Sequence, residues 1–315
     1  VKPAVLILGA TGTIGRGAVK AAVDAGWPVV AVARDAQALE ELRRRHPRAA
    51  LQILPGSVSD DAGAAELVAE LQRLDRPFAG VIAALGAGGE RGRLLDQSSD
   101  QLRHAFDDVV LPHLVAARHL LPWLGASGRN CGYVVIGGPG GRYPWAGYGH
   151  RSIAAAAVRM LARVLHGEAR QFSVRLQLLE VESPVRTDDN EKHACEQWPC
   201  VEHIGRKALE LLRHRNDARC MDAVVDYRSD ACTSGEALPV ESEVPRSSSS
   251  AREESGDGAT RGLDESSQRD SSPKATPQEM DSDASLLPAR CLQDVRNLLD
   301  TITSPKVTVK QIRSV

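Results

Sequence analysis

The chain has 315 residues, 42% of them hydrophobic, which is enough apolar material for a full core, and an aromatic share of 3% leaves Ala, Val and Leu to fill it. Its 39 basic and 41 acidic residues give a formal net charge of -2 and are interspersed, so no nucleic-acid face stands out, and few aromatics are on hand to stack single-stranded bases. The composition predicts a small-molecule substrate or effector as partner, and no nucleic acid.

Ala4-Val5-Leu6-Ile7-Leu8 is wholly apolar and bounded by Lys2-Pro3 and Gly9, as expected of a buried parallel strand. The segment Gly9-Ala10-Thr11-Gly12-Thr13-Ile14-Gly15 follows and opens a helix carrying Ala18, Ala21, Ala22 and Val23 on one side. Gly26 stops that helix before a second strand, Pro28 to Val32. A strand followed at once by G-x-x-G-x-x-G and a helix sets backbone N–H groups and a positive helix end against a pyrophosphate. Gly9 permits the tight turn, Gly12 lets backbone approach the phosphates, and Gly15 lets helix and strand pack closely. Arg34, just past the second strand, points to the extra phosphate of NADP(H), with Arg16 in the turn as a second phosphate partner. Asp35 could equally bond a ribose, which keeps NAD open.

The alternation continues with a helix over 36–45, a strand over 50–54, a helix over 60–74 and a strand over 78–84. A long helix over 100–124, with Pro112 as a kink, precedes a strand over 132–136. Beyond the glycine-rich loop 137–141 come an Ala-rich helix over 146–167, a strand over 174–179, a helix over 201–214 and a last short strand over 223–226. Such alternation predicts an α/β doubly wound parallel sheet. The composition changes after Tyr227. Residues 1–227 form the expected dinucleotide-binding domain, 228–285 a disordered Ser-rich, charged linker, and 286–315 a tail with a short amphipathic helix around Ala289 to Ile302.

The six cysteines include no C-x-x-C pair, and His193, Cys195, Cys200 and His203 lack a standard zinc spacing, so no metal is expected. With no secretory pattern at the start and no apolar run near the ~18 residues of a membrane span, a cytoplasmic protein without a membrane partner is expected.

The chain resembles the short-chain dehydrogenase/reductase family, with its Rossmann fold, over most of residues 4–227. The resemblance rests on the Gly9–Gly15 turn, Val30-Ala31-Val32-Ala33-Arg34-Asp35, Leu120-Leu121-Pro122-Trp123-Leu124, Val134-Val135-Ile136-Gly137-Gly138, the segment around Tyr148, and Ser183-Pro184-Val185-Arg186-Thr187. The turn has the spacing of extended and atypical members. The resemblance implies that Tyr148 is the proton donor and acceptor at the substrate oxygen. It also implies cofactor contacts from Gly9, Thr11, Gly12, Thr13, Ile14, Gly15, Arg34, Ser57, Val58 and Ala84, and from Thr187 at the nicotinamide carboxamide.

The rest of the family's catalytic set is absent. Ser152 stands where a Lys is expected four residues after Tyr148, Gly138 where a Ser is expected, and Val109 where an Asn is expected. No Lys occurs between Lys20 and Lys192 to favour a phenolate, and Arg151 and His150 do not share the four-residue direction. Glu182, where the family has Pro, is either a new acid/base group or a solvated carboxylate. Two readings follow. One is an NADP(H)-dependent oxidoreductase acting between nicotinamide and a carbonyl or alcohol substrate. The other is a non-catalytic NADP(H)-binding regulator or scaffold. A homo-oligomer through the 100–124 and 146–167 helices fits both.

Overall fold

A computed structural model describes residues 2–86, 91–187, 190–213 and 222–227. The linker expected over 228–285 and the tail helix expected over 286–315 lie outside the described residues.

Seven parallel strands form one sheet in the order β3-β2-β1-β4-β5-β6-β7. They are β1 (Ala4–Leu8), β2 (Val29–Ala33), β3 (Leu51–Pro55), β4 (Phe78–Ala83), β5 (Gly132–Gly137), β6 (Arg175–Glu180) and β7 (Val224–Asp226). The helices are α1 (Thr13–Asp24), α2 (Ala36–Arg45), α3 (Asp61–Arg73), α4 (Ser99–Ala105), α5 (Leu111–Ala126), α6 (Gly149–Glu168) and α7 (Val201–Arg213).

The apolar strands are buried on both faces because successive side chains point to opposite sides. Leu6 and Leu8 join Val81, Val135 and Leu176 in a core under α3, α5 and α6. Val5 and Ile7 join Ile82, Val134 and Leu179 under α1, α2 and α7. The chain reverses direction across the sheet between β1 and β4, and the crevice at such a switch point is where open α/β sheets bind ligands.

The helix expected over 100–124 is broken. A single π-helical turn, Phe106–Val110, separates α4 from α5. Pro112 has no N–H to donate to the Asp108 carbonyl, and the ladder widens one turn before the proline. The combined run Ser99–Ala126 is long and apolar enough to cross a membrane, although the sequence showed no uninterrupted apolar stretch of that length. Its apolar residues Ala116, Ala117, Leu120, Leu121 and Leu124 are spent on the sheet, where all are buried. The helix expected from 146 begins later, at Gly149, because Gly147 turns the chain with a φ of +76°.

Helices α1 and α7 approach backbone to backbone at Gly17 and Gly205. A Cβ on Gly17 would sit 2.5 Å from the Val201 carbonyl oxygen, and one on Gly205 would sit 2.7 Å from the Gly17 carbonyl oxygen. Gly17→Val should therefore cost about 2–3 kcal/mol in urea unfolding, since backbone cannot yield as a side chain does. Gly167→Ala, where nothing lies within 4 Å, should be neutral or slightly stabilising.

Candidate functional site

The β1–α1 turn is held by backbone contacts that leave no room for Cβ atoms. Gly9 has a φ of +69°, and a Cβ there would meet the Ala84 carbonyl oxygen at 2.2 Å. A Cβ on Gly15 would meet the Gly9 carbonyl oxygen at 2.0 Å, and the Gly12 N–H donates to that same oxygen at 3.0 Å. The turn is thus seated on the end of β4, where the Ala84 N–H donates to Leu8 at 3.1 Å.

Helix α1 starts differently from its neighbours. Asp35 caps α2 by accepting from the Gln37 and Ala38 amides at 2.9 and 3.0 Å, and Asp60 caps α3 by accepting from Gly63 at 2.8 Å. At α1 the cap is Gly12, no side chain satisfies the first amides, and the first turn holds no acidic residue. Thr13 and Ile14 lie in that first turn, and Thr11 stands half-buried before it. The result is an uncapped positive helix end, the arrangement that suits a phosphate.

The remaining expected cofactor residues stand along the same edge of the sheet. Arg34 is exposed immediately after β2, and the Asp35 Oδ1 beside it is occupied by the α2 cap. Ser57 and Val58 follow β3; Val58 is buried, and the Ser57 hydroxyl is paired with that of Ser59. Thr187 lies beyond β6, its amide donating to the Asn190 side chain at 2.8 Å.

A cavity of about 390 Å³ opens beyond the ends of β4 and β5. Leu85 and Gly86 form one wall, and Gly137 and Gly138 another. The widened turn supplies Asp108 and Val109, with His104 on α4 and His113 on α5. From α6 come His150, Arg151, Ala155 and Val158. Tyr148 and Ser152 do not line it.

The reason lies at the start of α6. Tyr148 is the cap residue, with φ −134° and ψ 42°, so the helical period does not extend to it. Its ring stacks on Trp145 at 4.9 Å between centroids, and the Arg151 guanidinium lies over both rings at 5.7 and 5.8 Å. The Ser152 hydroxyl donates to the Tyr148 carbonyl at 3.1 Å and accepts from the Trp145 amide at 2.8 Å. The pair four residues apart that faces the cavity is Arg151 and Ala155, with Gly138 across from them. The sequence held a signal for this phase: Ala154, Val158, Ala162 and Leu165 form the buried stripe of α6, and Arg151 and Ala155 run into Val158 at three- and four-residue steps.

Electrostatically the cavity is uneven. His113 is 2% exposed, and burial pushes its imidazole from the ordinary 6.5 down to about 4, while its contact with the Leu85 backbone works in the opposite direction. It is a neutral ring at pH 7, holding α5 to the end of β4. Behind the cavity, the buried Glu180 carboxylate at the end of β6 is ion-paired with Arg159 at 2.7 Å and Arg142 at 3.3 Å, and Arg142 also reaches Asp226 at 2.6 Å. This network fastens the loop after β5 to the sheet edge. Glu182 is pushed above the usual carboxylate range, first by partial desolvation and then by Glu180. It does not line the cavity. Among the described residues no cluster of three or more His, Cys, Asp or Glu is placed to hold a metal ion.

Known proteins share this architecture. The family model for short chain dehydrogenases matches residues 3–194. A short-chain dehydrogenase from Streptomyces avermitilis is 22% identical, with 73% of this chain and 90% of that chain covered at a TM-score of 0.59. One from Sphingobium yanoikuyae, in complex with NADPH, is 22% identical over 71% of this chain and 87% of that chain, with a TM-score of 0.58. The Pseudomonas aeruginosa RhlG/NADP active-site complex is 20% identical over 72% of this chain and 95% of that chain, with a TM-score of 0.61. Identities at this level speak for a shared fold. No curated protein matches the chain.

The histidine generates a pH prediction. Between about 6.5 and 4 the unfolded chain takes up a proton that folded His113 refuses, so stability is full above that window and falls as pH drops through it. His113→Gln should remove about 2 kcal/mol of the stability difference between pH 7 and about pH 4.5, measured as denaturant unfolding of variant and parent at both pH values.

Proposed function

The chain belongs to the short-chain dehydrogenase family, and from that premise we propose that it is an NADP(H)-dependent oxidoreductase whose small carbonyl or alcohol substrate enters the cavity beyond β4 and β5. The observation that carries the proposal is the uncapped N-terminus of α1 at the switch point, beside that cavity. The cradle fits a dinucleotide: backbone replaces side chain at Gly9 and Gly15, and free amides face outward at Thr13 and Ile14. Arg34 supports NADP(H) over NAD(H), because an exposed guanidinium just after β2 suits a ribose phosphate, while Asp35 spends only its Oδ1 on the α2 cap. Ser57 and Val58 would border the adenine, Ala84 the turn, and Thr187 the nicotinamide carboxamide.

The bound cofactor supplies the hydride; the chain supplies position and a proton. Among the described residues, neither Tyr nor Lys lines the cavity. An imidazole, His104 or His150, therefore serves as the proton source at the substrate oxygen. The Arg151 guanidinium does not release a proton at working pH, so its part in the cavity is to bind negative charge on the substrate. Tyr148, the acid/base residue of the family resemblance, serves in this reading as the ring on which Arg151 rests.

A second reading, an NADP(H)-binding regulator or scaffold that runs no chemistry, is favoured by one observation: Gly138 and Val109 line the cavity in place of the family's hydroxyl and amide, and no Lys lines it among the described residues. We place the protein in the cytoplasm, and assign to a homo-oligomer the exposed apolar residues Leu111 and Leu114 of α5 and Met160 and Val164 of α6.

Fluorescence or calorimetric titration should show NADPH binding more tightly than NADH. Arg34→Ala should weaken NADPH about tenfold while leaving NADH within about twofold, a loss of roughly 1.4 kcal/mol. With a broad carbonyl panel, Tyr148→Phe should slow NADPH oxidation by no more than about fivefold and His150→Ala by about a hundredfold or more. A hundredfold loss in Tyr148→Phe would restore the phenol as the acid/base group. NADPH binding without oxidation of any substrate would establish the second reading.

A further inference from the structure

Four buried side-chain polar atoms without a hydrogen-bond partner among the described residues belong to residues lining one cavity. They are Gln97 Oε1, Gln101 Oε1, His113 Nδ1 and His150 Nδ1. Buried polar groups are satisfied in nearly all native structures, so a cluster of orphans around one space calls for a ligand rich in hydrogen-bonding groups. The two histidines are 2% and 6% exposed, and are therefore deeply set walls of the cavity.

Arg151 also lines this cavity. Arg151 forms no ion pair among the described residues, whereas Arg142 and Arg159, nearby in sequence, are both committed to Glu180. The rings of Trp145 and Tyr148, under 6 Å away, hold its planar fork in place and so reduce the entropy lost when it engages a ligand. A fixed guanidinium fork matches the two oxygens of a carboxylate. Across the space, Asp108 is exposed on the widened turn and can accept from a hydroxyl but repels a second carboxylate.

Resting on the reading of this cavity as the substrate site, we propose that it takes a small hydroxylated monocarboxylate, a hydroxy acid or the corresponding oxo acid, whose carboxylate is bound by Arg151 and whose hydroxyls meet Gln97, Gln101, His113 and His150. Arg151 is then the residue that sets specificity, and Trp145 and Tyr148 are positioning residues that act through it.

The test is calorimetric titration of the full chain loaded with NADP+, using glycerate and gluconate, each against its amide, with tartronate and glucarate as the dicarboxylates. We expect at least one of the two monocarboxylates to bind about tenfold or more tightly than its amide and its dicarboxylate. Arg151→Met, which keeps the apolar stem, should abolish the preference over the amide, and Arg151→Lys should restore part of it. Both variants should leave NADPH affinity within about twofold of the parent, which separates loss of the anion site from loss of the fold or of the cofactor site. Trp145→Ala should reduce the preference without altering NADPH binding. Equal binding of acid and amide, no binding by any of the six compounds, or a preference that survives Arg151→Met would overturn the proposal. Failure of the parent chain to bind NADPH would instead count against the cofactor reading.

Discussion

Everything at the ligand-binding edge depends on how closely backbone approaches backbone where β1 turns into α1. Gly9 is seated against the Ala84 carbonyl, and Gly15 against the Gly9 carbonyl, at distances that exclude any side chain. This contact ties the first turn of α1 to the end of β4, across the switch point of the sheet. It leaves the amides at the start of α1 as open donors, in contrast to α2 and α3, where Asp35 and Asp60 consume them. A single geometric constraint thereby locates the positive helix end, the crevice beside it and the floor of the adjoining cavity.

The cavity itself is shaped by two departures from regular helix. The widened turn before Pro112 presents Asp108 and Val109 to the space, and His113 one turn later is buried deeply enough to stay neutral. At the opposite wall, Gly147 delays the start of α6 so that Tyr148 caps it from outside, and the first cavity-facing residues are His150 and Arg151. The loop between β5 and α6 is fastened from behind by the Glu180 network. Removing one member of such a buried pair leaves an uncompensated charge, so these residues fix the loop more than they stabilise the fold.

These features separate a glycine turn built of backbone from a cavity built of side chains. The chemistry depends on side chains, and the cavity carries imidazoles, a guanidinium and amides where the family resemblance calls for a phenol, an ammonium and a hydroxyl. A guanidinium in place of a titrating phenol changes what the site can do. It stays positively charged at working pH and does not give up a proton.

The sheet was legible in the sequence, because fully apolar five-residue runs alternating with helix-period segments admit few other arrangements, and so was the tight β1–α1 turn, because three glycines at that spacing between a strand and a helix answer a local steric demand. The exposed position of Arg34 followed in the same way from the end of β2. Which α6 residues face the cavity was decided only by tertiary structure. The sequence offers Tyr148 and Ser152 at the expected interval, but a cap residue has no helical phase, and the direction of the others is set by which stripe of α6 packs on the sheet. The neutrality of His113 and the pairing of Glu180 with Arg142 and Arg159 were equally out of reach, since burial and ion pairing join residues far apart in the chain, through space that no local pattern records.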